Sequence, residues 1–399
     1  VPLRKIVGKH KVVIVGGGFG GVKLALELAS DHRFHVTLIS DHLDFRYYPS
    51  LYRTATGGKR YIASVPLNEI FADKGTHLVV DRVTQLDRVA HSVSTATKQT
   101  FAYDSLVLAL GVQTNFYHIK GLETFSYGIK TVNDAVRLKH HLHQQLIEQH
   151  KPDLNYVVIG GGPTGVELAG ALPAYLRAIA RRHGIKHHAI HVGLVEAAPR
   201  LLPRMPKDIS LLVARHLRRI GVKLYLGTAV RAETADALML EDQKLLSRTV
   251  IWTAGVTNHP FFVDNSFQLT KNGKVRVDQF LQAEPGIFVI GDNADTPYSG
   301  MAQTALIDGG YMAGHLKRLV ASSDPKPYVA KKPIYVFPVG PRWAAVLWGK
   351  IRLYGWPGYV LRRLADLIAY HDYEPWQLAT KRWMAEDDSE ESCPICSQI

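Results

Sequence analysis

Glycines 16, 18 and 21 stand directly behind the β-branched run Val12-Val13-Ile14-Val15. Glycines 160, 162 and 165 stand in the same relation to Tyr156-Val157-Val158-Ile159. This spacing suits recognition of phosphate by the main chain. In the first copy Gly16 permits a tight turn and Gly18 lets a pyrophosphate approach the backbone. Gly21 lets helix and strand pack closely, and Phe19 and Gly20 complete the loop. The second copy repeats the device through Gly160, Gly162, Pro163, Thr164 and Gly165. Behind each loop a helix N-terminus offers free N–H groups to an anion. An acid at the end of the next strand would then hold an adenosine ribose. After the first copy that place is Ser40, with Asp41 one residue later. After the second it is Glu196, whose carboxylate would accept bonds from ribose hydroxyls and repel a 2′-phosphate. Glu196 therefore favours NADH over NADPH, although Arg200 and Arg204 lie nearby. A third element, 286–292, reads as a strand ending in Gly291-Asp292. There the aspartate can accept bonds from the ribityl chain of a flavin. One glycine loop is weak evidence, but two, each framed by strand, helix and strand, point to FAD at the first and a nicotinamide dinucleotide at the second.

The elements that must position these residues follow from periodicity. Short β-branched runs at 12–15, 35–39, 156–159 and 190–195 read as buried parallel strands, and 22–30 and 166–181 as the helices between them. The chain has 399 residues, 46% of them hydrophobic, enough for two or three packed cores. The expected fold is therefore α/β with two Rossmann-like dinucleotide-binding domains. A net charge of +13 suits phosphate-bearing cofactors or an anionic surface. Basic residues are scattered and no nucleic-acid motif is recognised, so no nucleic-acid partner is expected. The two cysteines, Cys393 and Cys396, both lie in the last seven residues, so the body has no disulfide framework and suits a reducing compartment. Val1 to Lys11 does not read as a signal peptide, and no apolar run approaches the ~20 residues of a membrane-spanning helix.

Further motifs resemble the type II NADH:quinone oxidoreductases, within the two-dinucleotide-domain flavoproteins, over nearly the whole chain. Pro49-Ser50-Leu51-Tyr52 with Ala55-Thr56-Gly57 is similar to the family's segment after the second strand. Tyr103 to Gly111 matches its Ala-Thr-Gly strand, bringing Ala109 and Gly111 to the flavin, with Leu110 in place of threonine. Thr249 to Val256, including Ala254 and Gly255, is close to the family's return into the flavin domain, and Gly162 to Gly170 is a near-standard match. The resemblance implies an FAD domain at 1–114 and 256–325, interrupted by an NADH domain at 115–255. It also implies a C-terminal segment, 326–384, facing a membrane, before an acidic tail at 385–399. Glu167 matches a glutamate near the meeting point of nicotinamide and flavin. Its helix-start position would also suit a carboxylate on electrostatic grounds alone. The family's quinone signature Ala-Gln-x-Ala-x-Gln appears here as Ala302-Gln303-Thr304-Ala305-Leu306-Ile307, keeping the first glutamine and losing the second to Ile307. Gln303 could hydrogen-bond an acceptor carbonyl. The resemblance implies hydride transfer from NADH to FAD, then two electrons to a menaquinone- or ubiquinone-type acceptor without proton pumping. It implies a cytoplasmic enzyme, peripheral on the inner face of the cell membrane, with a homodimer as the suggested assembly.

The segment 299–319 reads as a helix whose start faces the flavin, and 322–333 as a linker. The stretch 357–370 looks helical, with Val360, Leu361, Leu364, Leu367 and Ile368 on one face and Arg362, Arg363 and Asp366 on the other. Two readings are open: a helix covering the core with its apolar face, or one lying in a membrane interface, as Trp343, Trp348, Trp356, Trp376 and Trp383 would suit. Glu386 to Glu391 reads as a solvated acidic tail. Cys393-Pro394-Ile395-Cys396 has the spacing of a redox dithiol or half a zinc site. His140, His141 and His143, and His187, His188 and His191, lack accompanying acids or cysteines and read as exposed structural histidines, so no metal is expected. Without cysteines beside the first loop, sulfide oxidation and disulfide reduction are disfavoured. The rivals to a quinone acceptor are electron transfer through Cys393 and Cys396 to a soluble redox protein, and a non-enzymatic NADH-sensing module.

Overall fold

The computed structural model describes residues 8–147, 155–185 and 190–386. They form two compact units, and the chain passes between them several times: 47–63, 114–256 and 334 onward belong to the second unit, the rest to the first.

The first unit is built on a six-stranded sheet in the order Gln282–Glu284, Ile287–Val289, Ser105–Leu108, His10–Val15, Phe34–Ser40, Thr76–Val80. His10–Val15 pairs in parallel with both neighbours, Val15 opposite Ile39 on one side and Leu108 on the other. Val12, Ile14, Leu38, Leu106 and Val289 have no accessible surface, which is why these strands read as unbroken apolar runs. The helices Phe19–Ala29 and Ala302–Val320 pack closely; a Cβ on Gly309 would lie 2.5 Å from the Gly20 carbonyl oxygen, so glycine there sets the approach. Elsewhere in the unit a cluster including Val13, Val15, Phe261, Phe262 and Phe267 forms a core.

The second unit repeats the plan with a four-stranded parallel sheet: Val222–Leu226, His191–Glu196, Asn155–Ile159, Thr249–Trp252. Its main core joins Leu168, Leu172 and Leu176 of the helix Pro163–Arg182 to Leu138, Leu142, Leu194 and Val213. The same core takes in Phe337 and Ala345 of an antiparallel three-stranded sheet, Tyr335–Pro338, Ala344–Trp348 and Ile351–Gly355, together with Val339 just after its first strand. A Cβ on Gly170 would lie 2.7 Å from the Gly340 nitrogen, and His216 stacks on Trp343 at 4.0 Å. The C-terminal segment is thus packed into the second unit, as is 47–63, and it ends in the helices Trp356–His371 and Trp376–Met384.

Of the two readings open for the helix Trp356–His371, an apolar face covering the core is the one its burial pattern departs from. Arg362, Arg363 and Asp366 are buried, whereas Leu364 is 49% and Ile368 60% exposed. Its polar side is held inside by a charge network. Asp366 pairs with Arg362 and accepts a 2.8 Å bond from the Tyr47 hydroxyl. Glu386 is the second correction. It is buried rather than solvated, pairing with Arg363 and, at 2.7 Å, with Arg53, and accepting bonds from Ser50 at 3.0 Å and Tyr370 at 2.8 Å. The remainder of the acidic run, with Cys393 and Cys396, lies outside the described residues.

Candidate functional site

In the first unit the turn after His10–Val15 is held by steric necessity. Gly16 has φ +120°, and a Cβ there would lie 2.2 Å from the Ala109 carbonyl oxygen. A Cβ on Gly21 would lie 2.0 Å from the Gly16 carbonyl oxygen, and one on Gly20 would press on Ile290 and Ala305. Gly18, the N-cap of the helix Phe19–Ala29, differs: a Cβ there meets nothing within 4 Å. The loop therefore closes on protein at 16, 20 and 21 and opens at 18. That is the shape required for a phosphate approaching the main chain beside a helix start. Phe19 contributes backbone only, since its ring is buried edge-on against Phe45 at 4.9 Å.

The other first-unit residues gather at the same ends of the sheet strands. Ala109 donates its N–H to Val15 at 2.8 Å, and Gly111 sits at φ +70° with open space beside it. Asp292 lies in the turn Gly291–Asn293 and accepts the Gly300 N–H at 3.1 Å, leaving lone pairs for a ligand. The sequence reading missed Asn293, which is fully buried. It accepts the Gly111 N–H at 2.8 Å and donates to the Gly111 carbonyl at 2.6 Å, clamping the Ala109–Gly111 strand end to the Asp292 turn. The only sequence signal was its position beside Asp292. Asp41 is exposed and lies 3.1 Å from His42 Nε2, while Ser40 is buried against the loop at Gly17. Ala302 opens the helix Ala302–Val320, Gln303 is exposed on its first turn, and Ile307 is half-buried.

The second unit reproduces the cradle. Gly160 has φ +110°, and its Cβ would lie 2.9 Å from the Ala254 nitrogen. A Cβ on Gly165 would lie 1.8 Å from the Gly160 carbonyl oxygen, and again the N-cap glycine, Gly162, faces open space. Pro163 occupies the first helical turn, where its missing N–H costs nothing, and Thr164 is exposed beside it. Glu196 accepts the Gly161 N–H at 2.6 Å and the Ala198 N–H at 2.7 Å, so it braces the loop as well as presenting spare lone pairs. Arg200 spends its guanidinium on the Met205 carbonyl at 2.7 Å, the Ser210 hydroxyl at 3.0 Å and the Pro203 carbonyl. Gly255, at φ +93°, is fixed by the Tyr117 ring 2.4 Å from where a Cβ would sit.

Glu167 lies in the second turn of its helix, so the first-turn electrostatic explanation falls away. Burial pushes its carboxyl up to about 8, against the pull of Arg362 and Arg53 and with the help of Asp366. The Arg362–Asp366 charge pair of the C-terminal segment thus bears on Glu167 within one unit. Of the histidines, His140 and His191 are exposed as expected, but His141 is half-buried, stacked on Tyr127 at 4.2 Å and within 3.0 Å of the Thr249 hydroxyl, and His143 is buried beside Tyr175. His187 and His188 lie outside the described residues.

The family model described as pyridine nucleotide-disulphide oxidoreductase matches residues 10–309. The type II NADH:quinone oxidoreductase of Staphylococcus saprophyticus is 28% identical over 337 residues, which are 78% of this chain and 83% of that one. NdhA of Mycobacterium tuberculosis, of the same description, is 28% identical over 402 residues, covering 92% and 85%. In three dimensions the chain is similar to NDH2 from Plasmodium falciparum, solved in complex with NADH, with a TM-score of 0.85, 16% identity and coverage of 95% and 97%. It is also similar to the sulfide:quinone oxidoreductase of Aquifex aeolicus, with a TM-score of 0.79, 20% identity and coverage of 93% and 92%.

Proposed function

This chain belongs to the pyridine nucleotide-disulphide oxidoreductase family, and from that premise we propose that it is a type II NADH:quinone oxidoreductase. It is an FAD- and NADH-dependent enzyme, and the proposed acceptor is a quinone, reduced without proton pumping. The observation that carries the reading is the duplicated cradle, blocked at Gly16, Gly21, Gly160 and Gly165 and open at Gly18 and Gly162. Relatives 28% identical and named for this activity support the acceptor.

Bound FAD supplies a hydride acceptor and a store for two electrons. The chain's residues bind and orient. Gly18 with the start of its helix, Asp292 and the Asn293 clamp would hold FAD in the first unit. Gly162, Pro163, Thr164 and Glu196 would hold NADH in the second. With Arg200 committed to loop carbonyls and Glu196 repelling a 2′-phosphate, NADH is the preferred donor. Burial holds the Glu167 carboxyl at about 8, which would equip the second unit with an acid able to exchange a proton around neutral pH. Gln303, exposed on the first turn of its helix, would offer its amide to an acceptor carbonyl, and the side chain of Ile307 supplies no second amide.

Peripheral membrane attachment is part of the proposal. Among the described residues no helix is long and apolar enough to cross a membrane. Trp348, Ile351, Trp356, Leu364, Ile368, Trp376 and Leu378 are each at least 48% exposed, all in the C-terminal segment, and such a surface on a cationic chain suits an anionic bilayer.

The test is an anaerobic flavin spectrum. NADH is expected to bleach the oxidised FAD band, and a short-chain menaquinone analogue to restore it rapidly. Bleaching without restoration would remove the quinone and leave the NADH half intact. FAD bound but unbleached would refute NADH as donor.

A further inference from the structure

The segment after the helix Ala302–Val320 returns across the first unit. The Tyr328 N–H donates to the Gln279 carbonyl at 2.7 Å, and the Tyr311 hydroxyl to the Lys326 carbonyl at 2.9 Å. This return brings the Tyr328 hydroxyl to the Asp308 carboxylate at 2.6 Å. Asp308 has no accessible surface, and its other oxygen accepts the Gly291 N–H at 2.9 Å. Gly291, at φ +70°, opens the turn that carries Asp292 and Asn293. A buried carboxylate thus stands directly behind the residues read as the flavin's binding turn, tied to the connecting segment through one tyrosine.

We infer that Asp308, held by Tyr328, is a positioning residue of the flavin site that fixes the Gly291–Asn293 turn and lowers the reduction potential of bound FAD. The inference rests on the reading of the first unit as the FAD site. A buried negative charge opposes the gain of electron density by a neighbouring redox group, and low local dielectric strengthens that opposition. Both Asp308 oxygens accept bonds, from an N–H and an O–H, which favours the charged form. Burial acts the other way and pushes the carboxyl above the usual carboxylate range, with Asp292 adding to the push and Lys274 opposing it. From the helix packed alongside, Lys23 lies near Gly309, and on its own helix Tyr311 packs edge-on against Tyr328 at 5.2 Å. Nothing in the sequence singled out Asp308, which follows Ile307 in the altered quinone signature.

The test titrates the FAD-loaded wild type, Asp308→Asn and Tyr328→Phe against reference dyes, with neither NADH nor quinone present. The Asp308→Asn midpoint is expected to move positive by about 30 mV, the equivalent of a tenfold gain in the reduction equilibrium of a two-electron couple. Tyr328→Phe keeps the carboxylate and loses its donor, so any break in the plot of midpoint against pH should move to higher pH. Equal midpoints in wild type and Asp308→Asn, with FAD bound in both, overturn the inference. Where Asp308→Asn fails to retain FAD, coincident pH profiles of wild type and Tyr328→Phe overturn it instead. A wild-type protein unable to take up FAD would sink the flavin-site reading beneath it.

Discussion

Two glycines in each loop look equivalent in the sequence and are opposed in space. A Cβ on Gly165 would penetrate the Gly160 carbonyl, whereas one on Gly162 would enter open space. Gly165→Ala is therefore expected to destabilise the second unit by about 1–3 kcal/mol or more through overpacking, read as a lowered thermal midpoint. Gly162→Ala should melt within a few degrees of wild type yet raise the KM for NADH at least tenfold, because its methyl would enter the space proposed for the ligand. Equal melting and equal KM in both variants would show that the opening is not a binding cradle. Glu167 gives a titration with a determined sign. Its folded value, about 8, lies above its unfolded one, so the stability it contributes is complete at low pH and declines as pH rises toward 8. Glu167→Gln should flatten that decline between about pH 5 and 8, seen by comparing melting temperatures across the range. An unchanged slope would place Glu167 in an ordinary solvated setting.

At the scale of elements, the helix Trp356–His371 is bolted inward by charge and presents its apolar side outward. Glu386 is central to the bolt. Burial alone would raise its carboxyl, but Arg53, Arg362 and Arg363 outweigh that and hold it below the usual value. Its contribution is thus present above about pH 4.5 and lost as pH falls through the depressed value. Removing one partner of such a buried pair costs roughly 3–5 kcal/mol. Glu386→Gln should accordingly lower the melting temperature at pH 7 by several degrees, and the gap should narrow on acidification. A gap independent of pH would argue against an ionised Glu386. The outward side makes a separate prediction. Leu364→Glu with Ile368→Glu should reduce binding to anionic vesicles on the order of tenfold or more, since half-exposed leucine and isoleucine each lose about 1 kcal/mol of apolar transfer. NADH-driven bleaching should be unaffected, and unchanged vesicle binding would remove this face from the proposed membrane contact.

For the whole molecule, the net charge of +13 would make the proposed vesicle binding electrostatic in part, so it should weaken as salt rises. Electron transfer through Cys393 and Cys396 is the rival to the proposed quinone acceptor. With both replaced by serine, quinone reduction is expected to persist at wild-type rate. Its loss would shift the acceptor to the tail dithiol and a soluble partner.

The sequence by itself determined the two strand–glycine–helix devices, since both the apolar runs and the glycine spacing are local. Strands buried on both faces must be apolar throughout, and a phosphate loop must have glycine where Cβ would collide, so Val12 to Gly21 and Tyr156 to Gly165 could be read directly. Glu196 was legible for the same reason, standing at the end of its strand. Tertiary structure decided what depends on neighbours distant in the chain. Asn293 and Asp308 are ordinary polar residues until Gly111, 182 positions from Asn293, and Tyr328 reach them. Arg362, Arg363 and Asp366 gave a regular helical stripe, but periodicity states only that two faces differ. Which face turns inward was settled by Tyr47, Arg53 and Glu386, because a buried charge needs a partner and these lie hundreds of residues away or beyond the helix itself.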